Sequence, residues 1–97
     1  MLPDYFEFTL PTKVIYGIGI LGNLGPALRG FGRRRALLVT DAVLEQTGLA
    51  DRVRTAFAGT GVEIRRTFSD VPPNSTIATV EACAEMGRAD ECDMVIA

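Results

Sequence analysis

The sequence predicts a doubly wound α/β domain, in which helices cover both faces of a parallel sheet. The first observation is the stretch 36–41 (ALLVTD), four apolar residues followed by a hydroxyl and a carboxylate. A short, unbroken apolar run is typical of a strand buried on both faces, which usually belongs to a parallel sheet. The second observation is that helical and strand patterns alternate from residue 20 onward, at spacings suited to right-handed crossovers. Ninety-seven residues suffice for one such domain with a small core.

Residues 5–16 are predicted to form an N-terminal β-hairpin, because aromatic and β-branched residues flank a proline-containing connection there. An isolated hairpin is barely stable in water, so we expect it to dock on the domain or on a partner chain. The α/β units then occupy residues 20–97. Their first helix is indicated by an apolar face with helical spacing, formed by Leu21, Leu24, Leu28 and Phe31.

The other predicted elements follow from local patterns. A proline pair excludes regular pairing from the loop 69–74, and Ser75 or Thr76 can cap the helix that follows. We expect Gly87 to end that helix near Met86. The predicted strands are 36–40, 62–68 (near the sheet edge) and 92–97, and the other predicted helices are 42–46 and 49–57. Because the sequence stops on a strand, it is expected to be a truncated piece of a longer protein.

Composition disfavours several classes of function. The net charge of −2 argues against nucleic acid as a partner, and the run 33–35 (RRR) is interpreted as a solvated connection. The absence of histidine excludes Ser-His-Asp and Cys-His catalysis and histidine-based metal sites. Cys83 and Cys92 have no metal or redox spacing and are expected to be reduced. The N-terminus lacks a signal peptide and no stretch could span a bilayer, so a cytoplasmic location is expected.

A glycine motif offers one route to a cofactor. Gly17, Gly19 and Gly22 match the dinucleotide-binding fingerprint, and Asp41 lies 19 residues after Gly22 at a strand end. In that arrangement a helix N-terminus holds the pyrophosphate and the acid holds the ribose. The alternative is that the glycines turn the chain from the hairpin into the first helix and that Asp41 caps or begins a turn.

The whole chain resembles the N-terminal part of the iron-containing (group III) alcohol dehydrogenases. The resemblance rests on four stretches in the family's order, namely 10–19 (LPTKVIYGIG), 36–41, 71–76 (VPPNST) and 93–97 (DMVIA). It implies a Rossmann-like sheet whose last strand leads into a Gly-Gly-Gly-Ser loop that binds the pyrophosphate, beyond Ala97. It therefore implies that the three glycines are turn residues.

The resemblance implies cofactor contacts at two positions. Asp41 matches the family acid that binds the adenosine ribose, and a carboxylate there favours NAD over NADP because it repels a 2′-phosphate. Asn74 matches the asparagine of the family's Pro-Asn-Pro-Thr loop over the cofactor, although Ser75 stands where the family usually has proline. Thr40 is a further candidate, the alternative being a hydroxyl satisfied by backbone at the strand end.

The family comparison also implies what lies outside this sequence. The metal, Fe²⁺ or Zn²⁺, is held by one aspartate and three histidines of a C-terminal helical domain that is absent here. The implied reaction is hydride transfer between a small alcohol or aldehyde and NAD, by a homodimer formed through the N-terminal strands, and these 97 residues alone are expected to be inactive. Two alternatives stay open: a non-catalytic α/β module that binds a nucleotide or a protein, and a related polyol or maleylacetate-type reductase.

Overall fold

A three-stranded parallel sheet forms the centre of the structure, a computed structural model that describes residues 4–97. Its strands are β1 (Arg35–Val39), β2 (Glu63–Phe68) and β3 (Met94–Ile96), in the order β2-β1-β3. β1 is central, as its apolar run predicts, and Ala36, Leu37 and Leu38 are at most 3% exposed. Burying each leucine side chain stabilises the fold by about 1.5–3 kcal/mol.

Helices lie on both faces of the sheet. After a 3-10 helix (Ile20–Asn23), the α-helices are α1 (Gly25–Leu28), α2 (Ala42–Gln46), α3 (Leu49–Phe57) and α4 (Ile77–Ala89). Leu38 lines a small cavity together with α2 and α3, whereas Leu37 faces α4 in a groove on the opposite side. Neighbouring residues of a strand point to opposite faces, so the doubly wound α/β prediction is confirmed.

The pairing of β1 with β2 contains a bulge at Arg65. Ala36 pairs with Ile64, but Leu37 pairs with Arg66, which leaves Arg65 as the extra residue. Bulges redirect side chains, and here both arginines reach Asp90 at the end of α4. The Arg65 guanidinium donates to the Asp90 carbonyl at 3.0 Å, and the Arg66 guanidinium lies 3.4 Å from the Asp90 carboxylate. The bulge explains why the alternation of apolar Val62 and Ile64 with polar Glu63 and Arg65 does not continue to Arg66.

The amino-terminal edge of the sheet is held by Asp93, the residue before β3. Its Oδ1 accepts hydrogen bonds from the backbone N–H groups of Arg34 (3.1 Å) and Arg35 (2.8 Å), and its Oδ2 lies 3.5 Å from the Arg35 guanidinium. The Arg35 side chain also donates to the Glu91 carbonyl at 2.6 Å. Arg35 therefore belongs to a structural contact, rather than to the purely solvated connection that the sequence indicates.

The predicted hairpin over residues 5–16 is wrong for this chain. These residues form no strand, and their large apolar side chains are exposed, with Tyr16 at 91%. A two-stranded hairpin needs a surface to pack on, and the described part of the chain does not provide one. Residues 5–16 have the aromatic and β-branched composition of strands, but no surface of the described chain covers them, so they do not form strands.

Two helix predictions also need correction. The predicted first helix is divided into the 3-10 helix and the single turn α1, because Pro26 lies at the start of α1 and cannot continue a helix from before it. α4 does not end near Met86 but continues through Gly87 to Ala89. A Cβ at Gly87 would make an ordinary van der Waals contact with the Leu37 side chain at 3.4 Å, so Gly87 lies on the face of α4 that packs on β1.

Candidate functional site

The carboxyl ends of the strands form the candidate site. The chain leaves β1 toward β2 on one side and crosses from β2 to β3 on the other, so the winding direction reverses beside β1. In open α/β sheets, ligands bind outside the carboxyl ends at such a reversal. Asp41 lies at this edge, as predicted, and Thr40, the last residue of the predicted strand, directly follows β1.

Thr40 is buried and connects three segments. Its backbone N–H donates to the Phe68 carbonyl at 2.8 Å, and its carbonyl accepts from the Val71 N–H at 3.4 Å. Its side chain borders a cavity of about 230 Å³ beside Leu44 and Ala97. Thr40 thus joins the end of β1 to the end of β2 and to the loop that carries Asn74.

Asp41 is half-buried and begins α2. Its Oδ1 accepts a hydrogen bond from the Leu44 N–H at 2.8 Å, and its carbonyl accepts from the Glu45 N–H at 3.2 Å. The structure records no hydrogen bond from residues 4–97 to Oδ2. Capping therefore does not exclude the ribose role, because one carboxylate oxygen serves the helix and the other is left for a hydroxyl donor.

Asn74 lies in an exposed bend of the loop between β2 and α4. Val71 attaches the start of this loop to Thr40, and Thr76 ends it by accepting from the Thr79 N–H at 3.2 Å, which makes Thr76 rather than Ser75 the cap of α4. Within the described residues, no hydrogen bond joins Asn74 to Thr40 or Asp41. The structure thus brings Thr40 and Asp41 together and places Asn74 on an adjoining loop.

The glycine motif lies in a different place. Gly19 has a positive φ of 72° before the 3-10 helix, and the N–H groups of Ile20 and Gly22 donate to the carbonyls of Gly17 and Gly19. No strand precedes the motif within residues 4–34, and Gly19 and Gly22 border a cavity beside α3. Because the fingerprint requires a preceding strand, this geometry favours the turn interpretation.

An arginine that sequence reasoning missed lies behind the site. The Arg54 guanidinium, on α3, contacts the Glu45 carboxylate on α2, the Asp51 carboxylate at 2.6 Å and the Thr67 hydroxyl of β2 at 3.1 Å. Hydrogen bonding to Glu45 is the main reason that the pKa of Arg54 is raised. The spacing of Asp51 and Arg54 on one helix was readable from the sequence, but the contacts with Glu45 and Thr67 depend on the tertiary fold.

Residues 4–97 contain no cluster of histidine, cysteine, aspartate or glutamate suited to a metal ion. Cys83 and Cys92 are free thiols, and burial is the main cause that raises the pKa of Cys92. In the same described range, no helix has the length and apolar character needed to span a membrane. The described residues at the candidate site therefore act on a ligand through hydrogen bonds and through the negative charge of Asp41.

Comparison with known proteins places this geometry in a family. The model of the family described as iron-containing alcohol dehydrogenase matches residues 11–97. Choline dehydrogenase of Bacillus subtilis (strain 168) is 30% identical over 96 residues, which cover 99% of this chain and 24% of that protein. NADH-dependent butanol dehydrogenase A of Clostridium acetobutylicum is 27% identical over 92 residues, covering 95% of this chain and 23% of that protein.

A solved structure has the same fold. Sulfoacetaldehyde reductase from Bifidobacterium kashiwanohense, in complex with NAD⁺, matches with a TM-score of 0.80 at 25% identity, covering 96% of this chain and 24% of that one. The chain thus spans about a quarter of the length of the relatives that it matches. Since the family model covers nearly all of the sequence, this chain belongs to the iron-containing alcohol dehydrogenase family.

Proposed function

We propose that this chain supplies the adenosine side of the NAD site in an oxidoreductase that transfers a hydride between a small alcohol or aldehyde and NAD. The observation that carries the proposal is the Asp41 carboxylate, held at the carboxyl edge of β1 with Oδ2 left for an external donor. A carboxylate at this place accepts from the ribose hydroxyls and repels a 2′-phosphate. NAD is therefore expected to bind better than NADP.

The relatives support this assignment through what their names state. The Clostridium protein is an NADH-dependent butanol dehydrogenase, and the Bifidobacterium reductase was solved with NAD⁺ bound. Membership of the family also argues against the alternative of a non-catalytic binding module. Thr40 would orient Asp41 from the end of β1, and Asn74 would reach the cofactor from the loop after β2.

The residues described here fit the cofactor but not the metal. A divalent ion such as Fe²⁺ or Zn²⁺ would polarise the alcohol oxygen, yet the sequence has no histidine and residues 4–97 form no metal cluster. We place the metal ligands in the part of the whole protein that this chain does not contain. For the same reason, we expect residues 1–97 alone to show no dehydrogenase turnover.

The exposed apolar side chains of residues 5–16 support a homodimer. Tyr5, Phe8 and Val14 are all largely exposed, and burying such side chains is favourable. We propose that residues 5–16 pair with the same segment of a second copy and form, in that dimer, the strands that they lack in the single chain.

The proposed location is the cytoplasm.

Replacing Asp41 in the full-length protein tests the cofactor assignment. Asp41→Asn keeps the helix cap, since asparagine caps as well as aspartate, but removes the charge. We expect NAD affinity to fall about tenfold or more, as for loss of hydrogen bonds to an ionised group, and relative affinity for NADP to rise. Titration of each variant with NAD and NADP measures this directly.

Glu85→Gln is the matched control, because it also removes one negative charge, at an exposed position of α4 that does not contact Arg54. It should leave both affinities unchanged. Asp41→Gly, which removes the cap as well, should shift selectivity in the same direction as Asp41→Asn. An unaltered ratio of NAD to NADP affinity in both Asp41 variants would contradict the proposed ribose contact.

A further inference from the structure

The short helix α2 depends on contacts outside itself. It has five residues, none of them buried, and Val43 is 64% exposed. A helix of this length is not stable alone, because nucleation is costly and each residue adds only one hydrogen bond. The position of α2, and of the Asp41 carboxylate at its start, must therefore be determined by neighbouring elements.

The Arg54–Glu45 ion pair provides such a contact. Both nitrogens at the tip of the Arg54 guanidinium face the Glu45 carboxylate, and both side chains are about 30% exposed. The same guanidinium donates to the Thr67 hydroxyl, next to the end of β2. One side chain of α3 thus joins α2 to the sheet edge on which the candidate site lies.

Glu45 is also the residue through which this contact reaches Asp41. It lies one helical turn after Asp41, and its N–H donates to the Asp41 carbonyl at 3.2 Å. The Leu44 N–H, in the same turn, donates to Asp41 Oδ1 at 2.8 Å. A shift of Glu45 therefore moves the donors that fix the Asp41 main chain and carboxylate.

We propose that Arg54 is a positioning residue that, through Glu45, holds the first turn of α2 and sets the orientation of the Asp41 carboxylate toward the cofactor. This inference rests on the proposed ribose contact of Asp41. In this proposal Arg54 acts through Glu45 and not by contact with the cofactor. Its planar guanidinium donates hydrogen bonds to acceptors on α2, α3 and β2 at once. A lysine ammonium group cannot reproduce this geometry.

The test is a double-mutant cycle on cofactor affinity in the full-length protein. Arg54→Met removes the ion pair, whereas Glu45→Gln removes its charge and keeps an acceptor for Arg54. Arg54→Met should weaken NAD binding by up to about tenfold, the loss expected for Asp41→Asn itself, and Glu45→Gln should weaken it by a smaller factor. In an Asp41→Asn background, the same substitutions should weaken it less than about twofold, because the carboxylate they orient is gone. Arg54→Lys should recover only part of the NAD affinity.

Controls separate positioning from general support of the fold. Asp51→Asn removes a partner of Arg54 that lies on the same helix, so it should leave NAD affinity within about twofold. Glu45→Gln is isosteric and keeps the test valid if Arg54→Met does not fold, which circular dichroism of each variant will establish. NADP is titrated in parallel, because loss of orientation should also reduce discrimination between the two cofactors.

Each outcome decides one claim. Equal losses of NAD affinity with and without the Asp41 carboxylate would mean that the ion pair supports the fold in general, and would overturn the positioning role. If Asp41→Asn weakens NAD binding but the Arg54 and Glu45 variants do not, only the positioning role is wrong. If Asp41→Asn has no effect on NAD or NADP binding, the proposed ribose contact fails and the positioning role fails with it.

Discussion

The two edges of the sheet each carry one aspartate next to a strand, and the structure uses the two carboxylates differently. Asp93, before β3, accepts two backbone N–H groups through Oδ1 and faces the Arg35 guanidinium through Oδ2. Asp41, after β1, accepts one backbone N–H through Oδ1. The Asp93 carboxylate has both oxygens engaged within the fold, whereas residues 4–97 provide no hydrogen bond to Oδ2 of Asp41.

This difference gives a physical criterion for proposing which acid is structural and which one binds a ligand. Both residues are charged, both adjoin parallel strands, and neither has an unusual sequence context. What distinguishes them is the number of engaged acceptor atoms and the edge on which they lie, because ligands of open α/β sheets bind at the carboxyl ends. We therefore expect substitutions at the amino-terminal edge to change stability and those at the carboxyl edge to change cofactor binding.

The largest loss of stability is expected from Asp93→Ala in the full-length protein. The substitution removes the acceptor of two backbone N–H groups and the ion-pair partner of Arg35 at once. The backbone hydrogen bond from the Asp93 N–H to the Arg35 carbonyl is then left to join β1 and β3 at this edge. We expect a lower melting temperature and faster hydrogen–deuterium exchange in residues 33–39, with the ratio of NAD to NADP affinity unchanged. Glu85→Gln, at an exposed pair with Arg88, is the control. A change of cofactor selectivity in Asp93→Ala would show that the two edges do not act independently.

An intermediate effect is expected from acid. The Arg35 and Arg34 N–H groups and the charges of Arg35 and Arg33 lower the pKa of Asp93 below its ordinary value of 3.8, and together they outweigh the opposing effect of burial. A lowered pKa in the folded state means that this carboxylate stabilises the fold above pH 3.8 and loses that contribution as the pH falls through the folded value. The difference in melting temperature between the native protein and Asp93→Asn should be constant near neutral pH and shrink below about pH 4. A difference that persists at low pH would contradict a contribution from the charge.

Much of the carboxyl edge could be predicted from local signals. The apolar run that forms β1, the acid at its end and the helix beginning at Ala42 are all encoded within a dozen neighbouring residues. The loop 69–74 follows from its two prolines, because proline cannot join a ladder. Thr76 caps α4 by a bond to a residue three positions away, which is again a local interaction.

The amino-terminal edge could not be predicted in this way. Asp93 binds backbone groups 58 and 59 residues earlier in the chain, and the bulge at Arg65 depends on the register between two strands. The error over residues 5–16 has a related cause, since a strand pattern forms strands only when a surface covers it. Contacts between distant residues, rather than propensities, decide these features.

The smallest effect is expected from Arg66→Ala, which tests whether charge alone holds the amino-terminal edge. Arg66 and Asp90 are 3.4 Å apart, but their side chains are 50% and 28% exposed, so water and salt screen the pair. We expect a change in stability of about 0–0.5 kcal/mol that diminishes with added salt, measured by thermal unfolding at low and high ionic strength. Asp93 differs because its main partners are backbone N–H groups, for which residues 4–97 provide no other acceptor at this edge. If Arg66→Ala destabilised the protein as much as Asp93→Ala, the edge would be held by a network of charges, and the distinction between the two aspartates would rest on location alone.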